Sequence, residues 1–100
     1  MGYLTTFKLS WSGNFDVKSC LSLTDWGFSD ENLEIYDKWY SCQDDMIQIS
    51  QQYPDVLFTL SGVGDDPNDQ WIEYYQNGKS QYCHAKITFE PYDVNKMIKN

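Results

Sequence analysis

Asn77-Gly78 constrains this chain more than any other pair of residues. A two-residue hairpin turn needs positive φ at both central positions, and Asn-Gly adopts that geometry with the least steric cost. The pair stands between two strand-like runs, residues 71–76 and 82–90, so an antiparallel hairpin must occupy the C-terminal half. The second run alternates, which predicts Cys83, Ala85, Ile87 and Phe89 inward and Tyr82, His84, Lys86, Thr88 and Glu90 outward. Upstream, residues 56–61 are short and apolar, as a central strand is. Residues 62–69, Gly-Val-Gly-Asp-Asp-Pro-Asn-Asp, read as the turn that follows it, with Gly62-Val63-Gly64 a bulge or tight exit.

The N-terminal half supplies the other layers. Residues 3–12 alternate, with Tyr3, Thr5, Phe7, Leu9 and Trp11 on one side, which predicts a strand with one buried face. Val17, Cys20, Leu21 and Thr24 recur at helical spacing behind Asn14 or Asp16 as N-cap. In residues 33–40 the shared parity of Leu33, Ile35 and Trp39 favours a strand, against a short helical turn capped by Ser29. The clearest helix begins at Ser41-Cys42-Gln43-Asp44, an [ST]-x-x-[DE] capping box. It continues with Met46, Ile49, Ser50 and Tyr53 on one face and stops at Pro54. Residues 92–100 read as a tail with one helical turn. The predicted fold is an α+β ferredoxin-like sandwich in one domain, residues 1–100. It has a mostly antiparallel four- to five-stranded sheet and two helices on one face.

Charge narrows the function. The net charge is −8, every basic residue is lysine, and arginine is absent. Nucleic-acid binding needs cations against phosphate, with Arg preferred where bidentate geometry matters, so direct nucleic-acid binding is not expected. The charge is unevenly placed: residues 25–73 carry twelve acids against Lys38, a net of −11, while both flanks are mildly basic. Such a field steers encounter with a positively charged partner, although the same acids also serve solubility. Aromatic residues make up 17%, too many for a disordered acidic tail. Trp26, Trp39, Tyr40, Trp71, Tyr74, Tyr75, Tyr82 and Tyr92 exceed what a small core hides, and such residues among Asp and Glu match protein-interaction hot spots.

The remaining motifs weigh against catalysis, metal and membrane. The Asp65–Asp69 loop lacks the spacing of a calcium loop, and a solvated turn explains it better. Gly62-x-Gly64 precedes a strand, so a dinucleotide fingerprint fails on context. Cys20, Cys42, Cys83 and His84 offer zinc ligands, but none is spaced as C-x₂₋₄-C. Strand parity also sends Cys83 and His84 to opposite faces. No nucleophile motif accompanies the one histidine, so neither an enzyme nor a cofactor is expected. No apolar run reaches the length of a membrane span. The first residues form no secretory signal, and Gly2 with Thr6 fits the myristoylation pattern only loosely. Three cysteines cannot all pair, which points to a reducing, cytoplasmic setting.

A family resemblance rests on particular stretches. These are Lys38-Trp39-Tyr40, Ser50-Gln51-Gln52-Tyr53-Pro54-Asp55-Val56-Leu57-Phe58, Gly62-Val63-Gly64-Asp65-Asp66, Trp71 and Asn77-Gly78-Lys79. Together they resemble small proteins of phages and prophages and, more distantly, the YubB-like ferredoxin-like domain. The resemblance covers roughly the last two-thirds of the chain and implies an α+β fold and a mobile-element setting in a bacterial cytoplasm. It transfers no catalytic or ligand residues. The expected function is a phage counter-defence inhibitor of anti-CRISPR type. It would present Asp44, Asp45, Asp65, Asp66, Asp69 and Glu73, with Trp71 and Tyr75 as anchors, to a basic nucleic-acid-binding surface such as that of a CRISPR effector, as a monomer or homodimer. The alternatives are an immunity or antitoxin-like protein that neutralises a nuclease toxin, and a phage accessory or assembly protein.

Overall fold

The computed structural model describes residues 4–65, 69–85 and 89–98. Five strands form one sheet in the order β2-β1-β3-β4-β5, and every neighbouring pair is antiparallel. They are β1 (Thr5–Ser12), β2 (Glu34–Asp37), β3 (Leu57–Gly64), β4 (Gln70–Gln76) and β5 (Lys79–His84). Two helices, α1 (Leu21–Asp25) and α2 (Cys42–Gln52), complete the α+β sandwich. Strand β1 lies between β2 and β3, so β2-α2-β3 is a split β-α-β unit, and β3-β4-β5 continues as a meander.

One contiguous core joins the sheet to both helices. Phe7, Leu9, Phe58, Leu60 and Tyr75 rise from the sheet to meet Val17, Leu23, Met46 and Ile49. Trp39 closes the core, with its ring 5.4 Å from both Phe7 and Trp26 and 5.9 Å from Phe28. The same sheet face carries Phe15 between Trp11, Tyr53 and Phe58 in edge-to-face contacts. Edge-to-face geometry aligns the ring quadrupoles and adds to area burial.

Most local expectations hold, and the departures have identifiable causes. The Asn77-Gly78 turn has φ 49° and 78°, and the Gly78 N–H donates to Ser50 Oγ at 2.9 Å, docking the hairpin on α2. Pro54 ends α2 at Gln52, as expected. The capping box does not close: Ser41 is the N-cap but donates its Oγ to Asp45 Oδ2 at 2.8 Å. That carboxylate also accepts the Trp39 indole N–H at 2.7 Å, so burial of an indole outcompetes the cap. The first helical region splits into a 3₁₀ turn, Val17–Ser19, capped by Asp16, and α1. Leu23 rather than Leu21 faces the core, because the break at Cys20 rotates the following turn; Leu21 is 75% exposed.

Two strand readings change. Gly62 and Gly64 are part of β3, and Gly62 pairs in register with both Phe7 and Trp71 instead of forming a bulge. β5 has the opposite parity to that expected. Its Tyr82 and His84 share the helix side with Glu73 and Trp71, whereas Cys83 sits with Ile72 on the open side. The hairpin register sets this, and at a sheet edge both sides are part-exposed, so alternation in sequence does not mark the core. β5 ends at His84, short of the expected Glu90. Gly2, Asp66, Ile87 and Thr88 lie outside the described residues. Among the described residues no helix is long and apolar enough to cross a membrane.

Candidate functional site

The residues expected to meet a partner divide into two groups. Glu73 and Tyr75 face the core from β4 and are buried, which removes both from any binding surface. A helix packed over the middle of the strand accounts for the error: α2 covers the β4 parity shared by Trp71, Glu73 and Tyr75. The Tyr75 hydroxyl donates to Glu73 Oε1 at 2.8 Å, and Gln43 Nε2 donates to Oε2 at 2.7 Å. A buried carboxylate is tolerable only when its oxygens are satisfied in this way. Burial, and then the hydrogen bond to Glu73, push the Tyr75 phenol well above its usual range. The Cys42 thiol is pushed up to about 11, by burial first and the Glu73 charge second, so it stays protonated and unreactive at neutral pH. Trp39 is likewise buried, contrary to the expectation of an exposed aromatic.

The second group gathers at one end of the sheet. Thr5 pairs with Asp37 on one side and Gly64 on the other, and the Gly64 N–H donates to the Asp69 carbonyl at 2.8 Å. Asp37, Asp65 and Asp69 therefore share that end. Asp65 accepts the Tyr36 hydroxyl at 3.1 Å, bridging β2 and the β3 exit. Asp44 is exposed in the first turn of α2, next to the Gln43 that reaches Glu73. Asp45 is half-buried and held by Trp39 and Ser41, so it acts inside the structure more than on its surface. Only two ion pairs form among the described residues, Lys18–Asp30 and Lys96–Glu90, and neither neutralises this end.

Beside Asp69, on the helix side of the sheet, runs an aromatic ledge that the sequence parity concealed. Trp71 stacks on Tyr82 at 5.7 Å and 25°, and Tyr82 meets His84 edge-on at 4.6 Å. Partial burial, then the charges of Asp69 and Glu73, raise the Tyr82 phenol. Tyr82 and Asp37 thus join the candidate surface, while Glu73 and Tyr75 leave it. The signal for the change was present in β4: an acid on the parity of Trp71 and Tyr75 has to find internal donors.

Gly62 seats the ledge. A Cβ at this position would overlap the indole of Trp71, so only hydrogen lets the ring lie flat across β3. Gly62→Ala is expected to cost about 1–3 kcal/mol, the range for overpacking, and to displace the Trp71 ring. Urea unfolding and tryptophan emission check this: lower stability with a red-shifted native spectrum is the expected pair. Unchanged emission would show that the ring is not seated as described.

Among the described residues no three His, Cys, Asp or Glu side chains lie close enough to hold a metal ion. Cys20, Cys42 and Cys83 form no disulfide. Comparison with models of known protein families, with curated proteins and with solved structures finds no match.

Proposed function

We propose that this protein is a phage-encoded counter-defence inhibitor, of anti-CRISPR type. It works in the bacterial cytoplasm by occupying a basic nucleic-acid-binding surface of a host protein. The supporting observation is the placement of Asp69 beside the Trp71–Tyr82 ledge, at the sheet end that also carries Asp37 and Asp65. Carboxylates there take the place of phosphates: they speed encounter with a cationic channel, and the stacked rings then lengthen residence. The protein acts by occupancy, with no catalysis and no cofactor.

The test is capture of CRISPR effector complexes and of a basic nuclease toxin by the purified protein over a salt series. Binding to an effector should weaken steeply with salt. The variant D65N/D69N should lower the association rate roughly ten-fold, within the range that steering supplies, while leaving unfolding unchanged. Capture of the nuclease alone would favour the immunity-protein reading. Salt-insensitive binding, or none to either, would sink the proposal.

A further inference from the structure

We propose that the C-terminal tail of one copy docks on the open sheet face of a second copy, reciprocally, to form a two-fold dimer.

Among the described residues, two apolar surfaces lack a cover. One is the sheet face opposite the helices, where Val63, Ile72 and Tyr74 are 44%, 39% and 36% exposed. With Cys83 and Ala85 they line a shallow cleft of ≈ 250 Å³. The other is the tail, in which Phe89, Tyr92, Val94, Met97 and Ile98 are all largely exposed. Five large apolar side chains in ten residues are not the composition of a solvated tail. The tail has local order of its own. Asp93 caps a 3₁₀ turn at Val94–Lys96, Tyr92 Oη donates to Met97 Sδ at 3.4 Å, and Lys96 pairs with Glu90 at 3.0 Å. It is a shaped segment presented outward.

Three observations select a second copy as the occupant. The first is extension: the radius of gyration is 17.4 Å, where a compact chain of this length has about 13 Å. The tail therefore stands off its own domain. The second is charge: residues 1–85 carry a net −9 and the ten tail residues 89–98 only −1, so a body repels the tail of another copy far less than it repels the other body. The third is area. Two exchanged tails bring four aromatic side chains, at roughly 150–250 Å² each, and six smaller apolar ones to two faces, which together reach the ~1,200–2,000 Å² of a stable interface. A reciprocal exchange is also closed, so it stops at two copies.

Sedimentation velocity across the micromolar range tests this on the full chain. The expected mass is twice 11.8 kDa. The tail variant F89D/I98D and the face variant I72E should each sediment as monomers. Their mixture should regain a heterodimer, because one intact tail meets one intact face. The tail variant changes only exposed residues and should keep the native circular dichroism spectrum and a single cooperative unfolding transition, so loss of the dimer is not loss of fold. A monomeric full chain would overturn the proposal, whether its tail is free or folded on its own face. So would a dimer indifferent to both variants.

Discussion

Replacing Trp39 by alanine is expected to cost about 3–5 kcal/mol of unfolding free energy, the range for removing a large buried aromatic. The side chain is 1% exposed and sits among Phe7, Trp26 and Phe28. Its loss also leaves Asp45, a half-buried carboxylate, with Ser41 as its one remaining side-chain donor. A domain of this length has about 5–15 kcal/mol in total, so the variant should lie near the edge of folding. Trp39→Phe separates the contributions: it keeps most of the ring packing and removes the hydrogen bond, and should cost about 1–2 kcal/mol. Guanidinium unfolding with an unchanged m-value is the measurement. Equal costs for the two variants would place the energy in the Asp45 bond and refute the packing argument.

Replacing Glu73 by alanine is expected to cost about 2–4 kcal/mol, for a different reason. Tyr75 is fully buried, so its hydroxyl would lose its acceptor with no water to replace it. Gln43 is exposed and recovers solvent bonds, which caps the loss. Glu73→Gln keeps an acceptor for Tyr75 and, with the Gln43 amide flipped, a partner for the new amide; about 1 kcal/mol is expected. The Glu73→Ala variant should also lower the phenol pKa of Tyr75 toward the normal range, since the carboxylate is one of the causes that raise it. Burial, the larger cause, remains. Alkaline difference spectroscopy detects that shift. A stability loss no greater for alanine than for glutamine would show that the buried acceptor contributes nothing.

Neither burial is encoded locally in the chain. Trp39 shares its parity with Ile35 and was assignable to the strand region, but its burial was not legible. The cover comes from Trp26 and Phe28, contributed by a connecting loop. Glu73 reads as one more acid in a segment of net −11. It is internal because α2 crosses β4 at that height and brings Gln43 within 2.7 Å. At β5 the relation is reversed. Clean alternation there suggested a buried Cys83, yet an edge strand with one neighbour has no well-covered side, and the register from Asn77-Gly78 placed Tyr82 over Trp71.

The features legible along the chain are those encoded within a few residues. The Asn77-Gly78 reversal follows from which residues tolerate positive φ, the end of α2 from the steric effect of Pro54, and the one-sided face of β1 from the two-residue period. The acidity of residues 25–73 is likewise a property of the chain alone. Contacts between distant segments set which of those acids meet and which are buried. Asp37, Asp65 and Asp69 share one end because β1 pairs with both β2 and β3, strands far apart in the chain. Glu73 is removed from the surface by a helix 30 residues upstream. Charge is additive along a sequence, but burial and proximity depend on contacts between distant segments, and these exist only once the sheet is assembled.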